Sequence, residues 1–362
     1  MENRYPRLEV NLSHLRNNVA EVVRRCESQG IQVAGVIKGA TGLIEVARQF
    51  DEGGAVFIAS SRLEQLEDAR RAGIQKPLML IRIPMLSEVS RVIELADISL
   101  NSEMKVIEAL NAEAGKQNKY HKILLMADMG DLREGFWNKD EMIKAAVHIE
   151  RDLPYIELTG IGTNLGCYGS IAPTRDVLEN LVSLAEKIEH AIGRPLEYIS
   201  GGSTTSLMRV WDGDMPDRIN LLRVGEGILL AQALQDYFGY DMSMLHRDVF
   251  RLKAEVIEVK EKPSYPVGTI TIDAFNHTPV YVDRGIRWRV LLGIGKVDYG
   301  DPMELIPLEK GIEILGASSD HTIVDVQNAE KEYAVGDIME FEVTYATIVY
   351  LSNCRNVEIV YV

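Results

Sequence analysis

The feature that most limits the fold of this chain is the alternation of eight short apolar segments with longer amphipathic ones between residues 33 and 224. Each apolar segment has the length of one strand and is mostly apolar on both faces. Strands of this kind belong to parallel sheets whose two faces are covered. The segments are Val33–Lys38, Ala55–Ser60, Pro77–Arg82, Asp97–Asn101, Lys122–Asp128, Ile156–Thr163, Leu196–Ser200 and Ile219–Val224.

The amphipathic segments between them have the period of helices. In Ser61–Gly73 apolar residues recur three or four positions apart, the opposite face is charged, and Gly73 stands where a helix usually ends. Ser102–Leu110 and Pro173–Ile192 repeat the pattern. A strand followed by a helix, repeated eight times, predicts an α/β fold with a TIM-type (β/α)₈ barrel rather than an open doubly wound sheet.

Helical patterning almost disappears after residue 240, and strand-like segments with Gly, Pro and Asn turns replace it. We therefore predict a barrel domain over residues 1–240 and a mostly antiparallel β domain over residues 241–362. The extreme N-terminus is expected to pair with the β domain because Arg7–Val10 is strand-like. The strand-like segments are Phe250–Lys260, Thr269–Asp273, Val280–Asp283, Trp288–Ile294 and Phe341–Tyr350.

Charge and motif content exclude several classes of function. The chain of 362 residues has 39 Lys and Arg against 54 Asp and Glu, a net charge of −15, which disfavours nucleic acid and anionic membranes as partners. Cys26, Cys167 and Cys354 form no disulfide framework, and the seven histidines show no metal-ligand spacing, so no metal is expected. The start MENRYPRLEV has no signal-peptide pattern, and we expect a cytoplasmic protein.

Two basic residues stand where barrel strands end, which is where barrel enzymes place their chemistry. Lys38 closes the first strand, and burial there would favour the neutral amine, the form that attacks an aldehyde. The alternative is a lysine whose head reaches solvent. Arg133 lies in a glycine-rich loop after the fifth strand, where it would bind a carboxylate or phenolate, or form a surface ion pair.

Glycine and hydroxyl residues follow the last two barrel strands. Gly201–Ser206 comes after the seventh strand and Gly225–Gly227 after the eighth. Backbone N–H groups of such loops converge on a phosphate in barrel enzymes. A reactive lysine together with a phosphate cradle indicates pyridoxal 5'-phosphate, which needs its aldehyde captured at one end and its anion held at the other.

With these segments the chain resembles the fold-type III pyridoxal-phosphate enzymes of the alanine racemase type, and most closely their alanine/ornithine racemase branch. The resemblance covers nearly the whole chain. It implies that Lys38 holds the cofactor and is one of two acid/base groups. It implies that Arg133 binds the cofactor phenolate and the substrate carboxylate, and that Arg223 pairs with the pyridine nitrogen. A guanidinium keeps its proton, so that nitrogen would stay unprotonated.

The resemblance also implies further contacts and two departures. Lys38 is followed by GATG, which lacks the family's phosphate-binding tyrosine, and Asn164 stands where the family has a histidine beneath the cofactor ring. The β domain would provide a substrate-carboxylate segment to the neighbouring subunit, through Ser319 and Asp320. The implied phosphate contacts are Ser203, Thr204, Gly225, Glu226 and Tyr345.

The second acid/base group stays open at the level of sequence. The family has a tyrosine early in the β domain, and Tyr265 has that chemistry, whereas spacing to later segments favours Asp273, with His277 nearby. The family resemblance implies a homodimer with shared active sites and racemisation of a free amino acid, with a basic one such as ornithine favoured. Alternatives are an alanine or broad-specificity racemase, a pyridoxal-phosphate carrier and a basic amino-acid decarboxylase.

Overall fold

The computed structural model describes residues 4–272, 275–276, 278 and 280–362, so Asp273 and His277 lie outside the described residues. The chain divides between Arg247 and Asp248 into two units. One unit runs from Leu12 to Arg247, and the other combines the residues before Leu12 with Asp248–Val362. Among the described residues, every helix is too short or too polar to span a bilayer.

Eight parallel strands of the Leu12–Arg247 unit close into a barrel, which confirms the predicted architecture. The first and last barrel strands pair with each other, with Ala34 opposite Arg223. Strand β1 (Arg7–Val10) precedes the barrel and belongs to the other unit. The barrel strands are β2 (Gln32–Val36), β3 (Phe57–Ser60), β4 (Leu78–Leu80), β5 (Ile98–Asn101), β6 (His121–Met126), β7 (Ile156–Gly162), β8 (Tyr198–Ser200) and β9 (Leu221–Val224).

Helices connect these strands, and the ends of some carry ordinary caps. The Asn138 side chain caps one helix by accepting the N–H groups of Asp140 and Glu141, and Gly193 ends another in the left-handed conformation, with φ 79°. The helices of this unit are α1 (Leu12–Glu27), α2 (Ile44–Glu52), α3 (Leu63–Arg71), α4 (Val89–Leu95), α5 (Met104–Lys116), α6 (Lys139–Asp152), α7 (Arg175–Ile192), α8 (Leu207–Asp212), α9 (Glu226–Leu229) and α10 (Ala233–Phe238).

The barrel interior is filled by apolar side chains from alternate positions of its strands. Residues two apart on a strand share a face, and the positions that cluster here repeat that spacing on β2, β3, β5 and β6. Such a packed interior leaves the strand ends as the places where polar groups collect. The buried cluster comprises Ala34, Val36, Phe57, Ala59, Met79, Ile98, Leu100, Leu124, Met126 and Leu221.

The second unit is built on an eight-stranded sheet that is antiparallel apart from one pair of strands, in agreement with the predicted β domain class. Strand β1 pairs with β10 in antiparallel and with β16 in parallel orientation. The path of the sheet runs β12-β15-β10-β11-β14-β13. The elements are β10 (Phe250–Pro263), β11 (Ile286–Leu292), α11 (Lys296–Tyr299), β12 (Leu305–Pro307), β13 (Glu313–Ala317), β14 (Thr322–Asp325), β15 (Ile338–Val343), α12 (Tyr345–Leu351) and β16 (Glu358–Tyr361).

Three strand predictions in this unit were wrong. Residues 269–272 and 280–283 form no strand, and Ile272 and Val280 point into solvent without a partner strand. Strand β15 ends at Val343, after which α12 replaces the predicted strand to residue 350. Thr344 caps this helix through its N–H bond to Thr347 Oγ1, and burial at 347, 348 and 351 follows the helical period.

His121 at the start of β6 generates a prediction about stability and pH. Its side chain is buried with Nε2 2.8 Å from Ser99 Oγ, and burial lowers its pKa to about 4. In the unfolded chain the imidazole takes up a proton near its ordinary pKa of about 6.5. The unfolded state therefore binds more protons between these two values, and the native state loses stability as the pH falls through that range.

We expect the free energy of unfolding to fall by about 2–3 kcal/mol between pH 7 and pH 4.5 on account of His121. The variant His121→Gln has no titrating group at this position, so its stability should depend less steeply on pH. Denaturant unfolding of both proteins at several pH values measures the two slopes. Equal slopes in the two proteins would contradict the assignment.

Candidate active site

Lys38 lies immediately after barrel strand β2, in a tight turn. The strand ends at Val36, two residues earlier than predicted, and Lys38–Ala40 forms a 3₁₀ turn. The N–H of Ile37 still bonds to Ala59 O at 2.9 Å, and Thr41 closes the turn in the left-handed conformation with φ 47°. The backbone of Lys38 is thereby fixed at the C-terminal end of the barrel.

The electrostatic surroundings of Lys38 favour its neutral amine. Burial lowers the pKa of Lys38, and the positive charges of Arg133 and Arg223 lower it further, whereas the carboxylate of Glu134 acts in the opposite direction. A desolvated ammonium beside two guanidinium groups loses its proton more easily than a surface lysine. This lysine therefore has the setting of a nucleophile or base rather than of a solvated charge.

Arg223 on β9 is almost completely buried, with 4% of its surface exposed. Its Nη1 donates to Ser200 Oγ at 2.5 Å and its Nη2 to Thr163 O at 2.8 Å, so it joins the ends of β7, β8 and β9. Burial lowers the pKa of Arg223 to about 10, which still leaves it charged at neutral pH. It is a rigid cationic donor at the end of the barrel that carries Lys38.

Two polar groups beside Arg223 are buried without a hydrogen-bond partner among the described residues. They are the hydroxyl Oγ1 of Thr163 and the amide Nδ2 of Asn164, which directly follow β7. A buried polar atom without a partner costs free energy, and such atoms are rare in native proteins. Their presence at the C-terminal end of the barrel indicates a site built to receive a polar ligand.

The two glycine-rich loops that the sequence indicated are joined to each other. The N–H of Gly227, after β9, donates to Thr204 Oγ1, after β8, at 3.0 Å. Ser203 precedes the 3₁₀ turn Thr204–Ser206. At Gly225 an added Cβ would lie 3.1 Å from Val36 O, so the backbone there passes close to the strand that leads to Lys38.

The side chain of Glu226 is turned into its own loop. Its Oε1 accepts the N–H groups of Gln232 at 3.3 Å and Ala233 at 3.1 Å. Burial raises the pKa of this carboxyl. The side chain therefore stabilises the start of α10, and any role of Glu226 in anion binding falls to its backbone.

Arg133 lies in the loop after β6, and two aspartates hold that loop. Asp128 Oδ1 accepts the N–H groups of Gly130 at 2.8 Å and Leu132 at 3.1 Å. Asp131 accepts the N–H groups of Cys167 and Tyr168, at 3.2 and 3.1 Å, and ties this loop to the one after β7.

The guanidinium of Arg133 forms an ion pair with the neighbouring Glu134, with Nη2 2.6 Å from Oε1. Sequence reasoning named Arg133 and missed Glu134. The signal that could have identified it is a carboxylate directly beside a basic residue in a glycine-rich loop.

The second unit carries four of the candidate residues that lie within the described part of the chain, Tyr265, Ser319, Asp320 and Tyr345. Tyr265 is 43% exposed, and its ring meets that of Tyr281 edge-on at 6.4 Å. Ser319 Oγ donates to Asp320 Oδ2 at 2.6 Å in the turn between β13 and β14. Tyr345 is the first residue of α12. The candidates that lie on the C-terminal ends and loops of the barrel are Lys38, Arg133, Asn164, Ser203, Thr204, Arg223, Gly225 and Glu226.

We predict that Lys38 titrates below the ordinary lysine value and that Arg133→Gln raises its pKa. The variant removes one of the two positive charges that disfavour the ammonium form and leaves Glu134 unpaired nearby. Reductive methylation with ¹³C-formaldehyde and NMR across pH gives this pKa, and Lys38→Arg assigns the signal. A titration that is identical in wild type and Arg133→Gln would contradict the electrostatic coupling.

Comparisons with known proteins agree with this arrangement. The family model described as alanine racemase, N-terminal domain, matches residues 10–232. Ornithine racemase of Acetoanaerobium sticklandii is 39% identical over 347 residues, which are 95% of this chain and 96% of the relative. Lysine racemase of Thermotoga maritima is 37% identical over 99% of this chain and 98% of its own.

A crystal structure of alanine racemase from Streptomyces lavendulae has the same fold. It superposes with a TM-score of 0.77 at 19% identity and covers 100% of this chain and 98% of the other. The family match spans most of the barrel, and two relatives above 30% identity match this chain nearly end to end. The chain therefore belongs to the alanine racemase family.

Proposed function

We propose that this protein racemises a free basic amino acid, with ornithine as the favoured substrate and pyridoxal 5'-phosphate as cofactor. The observation that carries the proposal is the setting of Lys38 at the C-terminal end of a barrel, as a partly buried lysine whose pKa is lowered by burial and by the charges of Arg133 and Arg223. The two relatives that match over nearly the full length are racemases of ornithine and of lysine, which supports a basic substrate.

The residues present fit this cofactor. The buried Nδ2 of Asn164 and Oγ1 of Thr163 have no hydrogen-bond partner among the described residues, and the loops after β8 and β9 are joined between Thr204 and Gly227. At Gly225 an added Cβ would contact Val36 O tightly, at 3.1 Å. When bound, pyridoxal phosphate withdraws electrons from the Cα of an amino acid and makes its proton acidic. Lys38 would hold the aldehyde carbon and Arg223 the pyridine nitrogen.

Further contacts are proposed from the family resemblance. Ser203, Thr204 and the backbone of Gly225 and Glu226 would bind the phosphate. Arg133 would bind the substrate carboxylate through its planar fork. By the same resemblance, Tyr345 would contact the phosphate, and Ser319 and Asp320 would reach the substrate carboxylate of the neighbouring subunit.

Racemisation needs two acid/base groups on opposite sides of the Cα atom, because a single base on one face tends to restore the original configuration. Lys38 Nζ is suited to remove or return the proton on one face, since burial and the nearby guanidinium groups lower its pKa below that of a surface lysine. We propose Tyr265 as the opposing group, with Asp273 as the competing candidate. The proposal includes a cytoplasmic homodimer in which the partner subunit supplies the opposing group.

The first prediction of this proposal concerns proton exchange in D₂O. With pyridoxal phosphate and L-ornithine, wild-type protein should replace the α-proton by deuterium and produce the D enantiomer. Lys38→Ala should slow both by about 10³-fold or more, because it removes the group that binds the cofactor and moves the proton. Lys144→Ala, at an exposed position of α6, should behave like wild type.

NMR of the α-proton and chiral chromatography of the same samples measure the two processes. Full activity in Lys38→Ala would overturn the proposal. Loss of the substrate carboxyl group instead of inversion would identify a decarboxylase. A bound cofactor without exchange for any amino acid would identify a carrier.

The second prediction concerns the opposing acid/base group. Tyr265→Phe should abolish inversion and keep exchange of the α-proton from one enantiomer, because the Lys38 face remains intact. Asp273→Asn should racemise normally. The same D₂O assay, started from each pure enantiomer, separates exchange from inversion. The reverse pattern would assign the role to Asp273, and normal racemisation by both variants would exclude both and leave His277→Gln as the next variant.

A further inference from the structure

We propose that Glu134 is a positioning residue that orients Arg133 and balances the positive charge around Lys38. The proposal rests on the proposed function, since it gives Glu134 its role at the same site. In this proposal the Glu134 carboxylate binds one edge of the Arg133 guanidinium, so that the other edge is available to a substrate carboxylate.

The contact between the two side chains has two parallel hydrogen bonds. Arg133 Nε donates to Glu134 Oε2, and Arg133 Nη2 donates to Oε1 at 2.6 Å. Such a pair fixes the plane of the guanidinium as well as its position. It occupies the Nε and Nη2 edge of Arg133 and leaves the edge that carries Nη1 outside the pair.

Glu134 is the better anchored member of this pair. Its side chain is 16% exposed, against 40% for Arg133. The loop closes directly after it, because Phe136 N–H donates to Met126 O at 2.8 Å and Phe136 O accepts the N–H of Asp128 at 3.1 Å. Glu134 therefore lies two residues before the point where the loop is hydrogen-bonded back to the end of β6, and the longer arginine is oriented against it.

Glu134 also opposes the charge of the other two cations of the site. Its negative charge raises the pKa of Lys38 and also that of Arg223, so it favours the charged form of each. The two aspartates of the same loop are engaged by backbone N–H groups, Asp128 by its own loop and Asp131 by the loop after β7. Within the described part of this loop, Glu134 is the carboxylate that pairs directly with a cation of the site.

Two consequences follow for the site. Without the carboxylate, Arg133 regains the rotational freedom of a long side chain, and binding a substrate carboxylate has to restrict that freedom again. The ammonium form of Lys38 also loses a nearby negative charge that favours it. The substitution Glu134→Gln should therefore weaken substrate binding through Arg133 and lower the pKa of Lys38 through space.

The first experiment measures Lys38 in cofactor-free protein by ¹³C-methyl NMR. The pKa of Lys38 should be lower in Glu134→Gln than in wild type. Glu134→Asp keeps the negative charge and should bring the pKa most of the way back to the wild-type value. Asp140→Asn is the matched control, an exposed carboxylate on α6. An unchanged Lys38 titration in Glu134→Gln, in protein that unfolds at the wild-type temperature, would overturn the proposal.

The second experiment is a double-mutant cycle with Arg133→Gln in steady-state racemisation. Glu134→Gln should raise KM about tenfold with a smaller effect on kcat, and should add less than about twofold once Arg133 is already replaced. A tenfold effect in both backgrounds would overturn the positioning role, because Glu134 would then act independently of Arg133. If no amino acid is racemised by wild type, the proposed function fails, and the Lys38 titration alone decides the role of Glu134.

Discussion

The site depends on a positive charge that is buried where the barrel closes. Arg223 lies on the strand that pairs with β2, and its direct partners, Ser200 Oγ and Thr163 O, are neutral. Removing a guanidinium from water costs several kcal/mol, and neutral partners recover only part of that cost. The barrel thus keeps a charge in an unfavourable place, which is typical of a position selected for chemistry rather than for stability.

The other features of the site follow from this charge. Beside the effect of burial, Arg133 and Arg223 lower the pKa of Lys38, and they create a field that attracts anions such as phosphate and carboxylate. The surrounding loops are tied in pairs, those after β6 and β7 through Asp131 and those after β8 and β9 through Thr204.

Local pattern was sufficient for the barrel and for the position of Lys38 and of the two glycine-rich loops at its strand ends, because strand period, strand ends and turn residues are encoded within a few positions. Local pattern was not sufficient to predict which residues from other barrel strands are hydrogen-bonded to Arg223. Nothing near Arg223 in sequence indicates Thr163 or Ser200, which β-pairing brings to it. The helix after Val343 was missed because Thr344–Tyr350 is rich in β-branched and aromatic residues, and a cap decided its conformation.

The pairing of β1 has a consequence for the order in which the chain can assemble. Its partners β10 and β16 both come after the whole barrel segment Leu12–Arg247 in sequence. During synthesis from the N-terminus, β1 therefore waits without its strand partners until the barrel has been translated. Closing a loop of that length costs little more than closing one half as long, about 0.6 kcal/mol. The delay is thus one of time, during which both edges of β1 lack their strand partners.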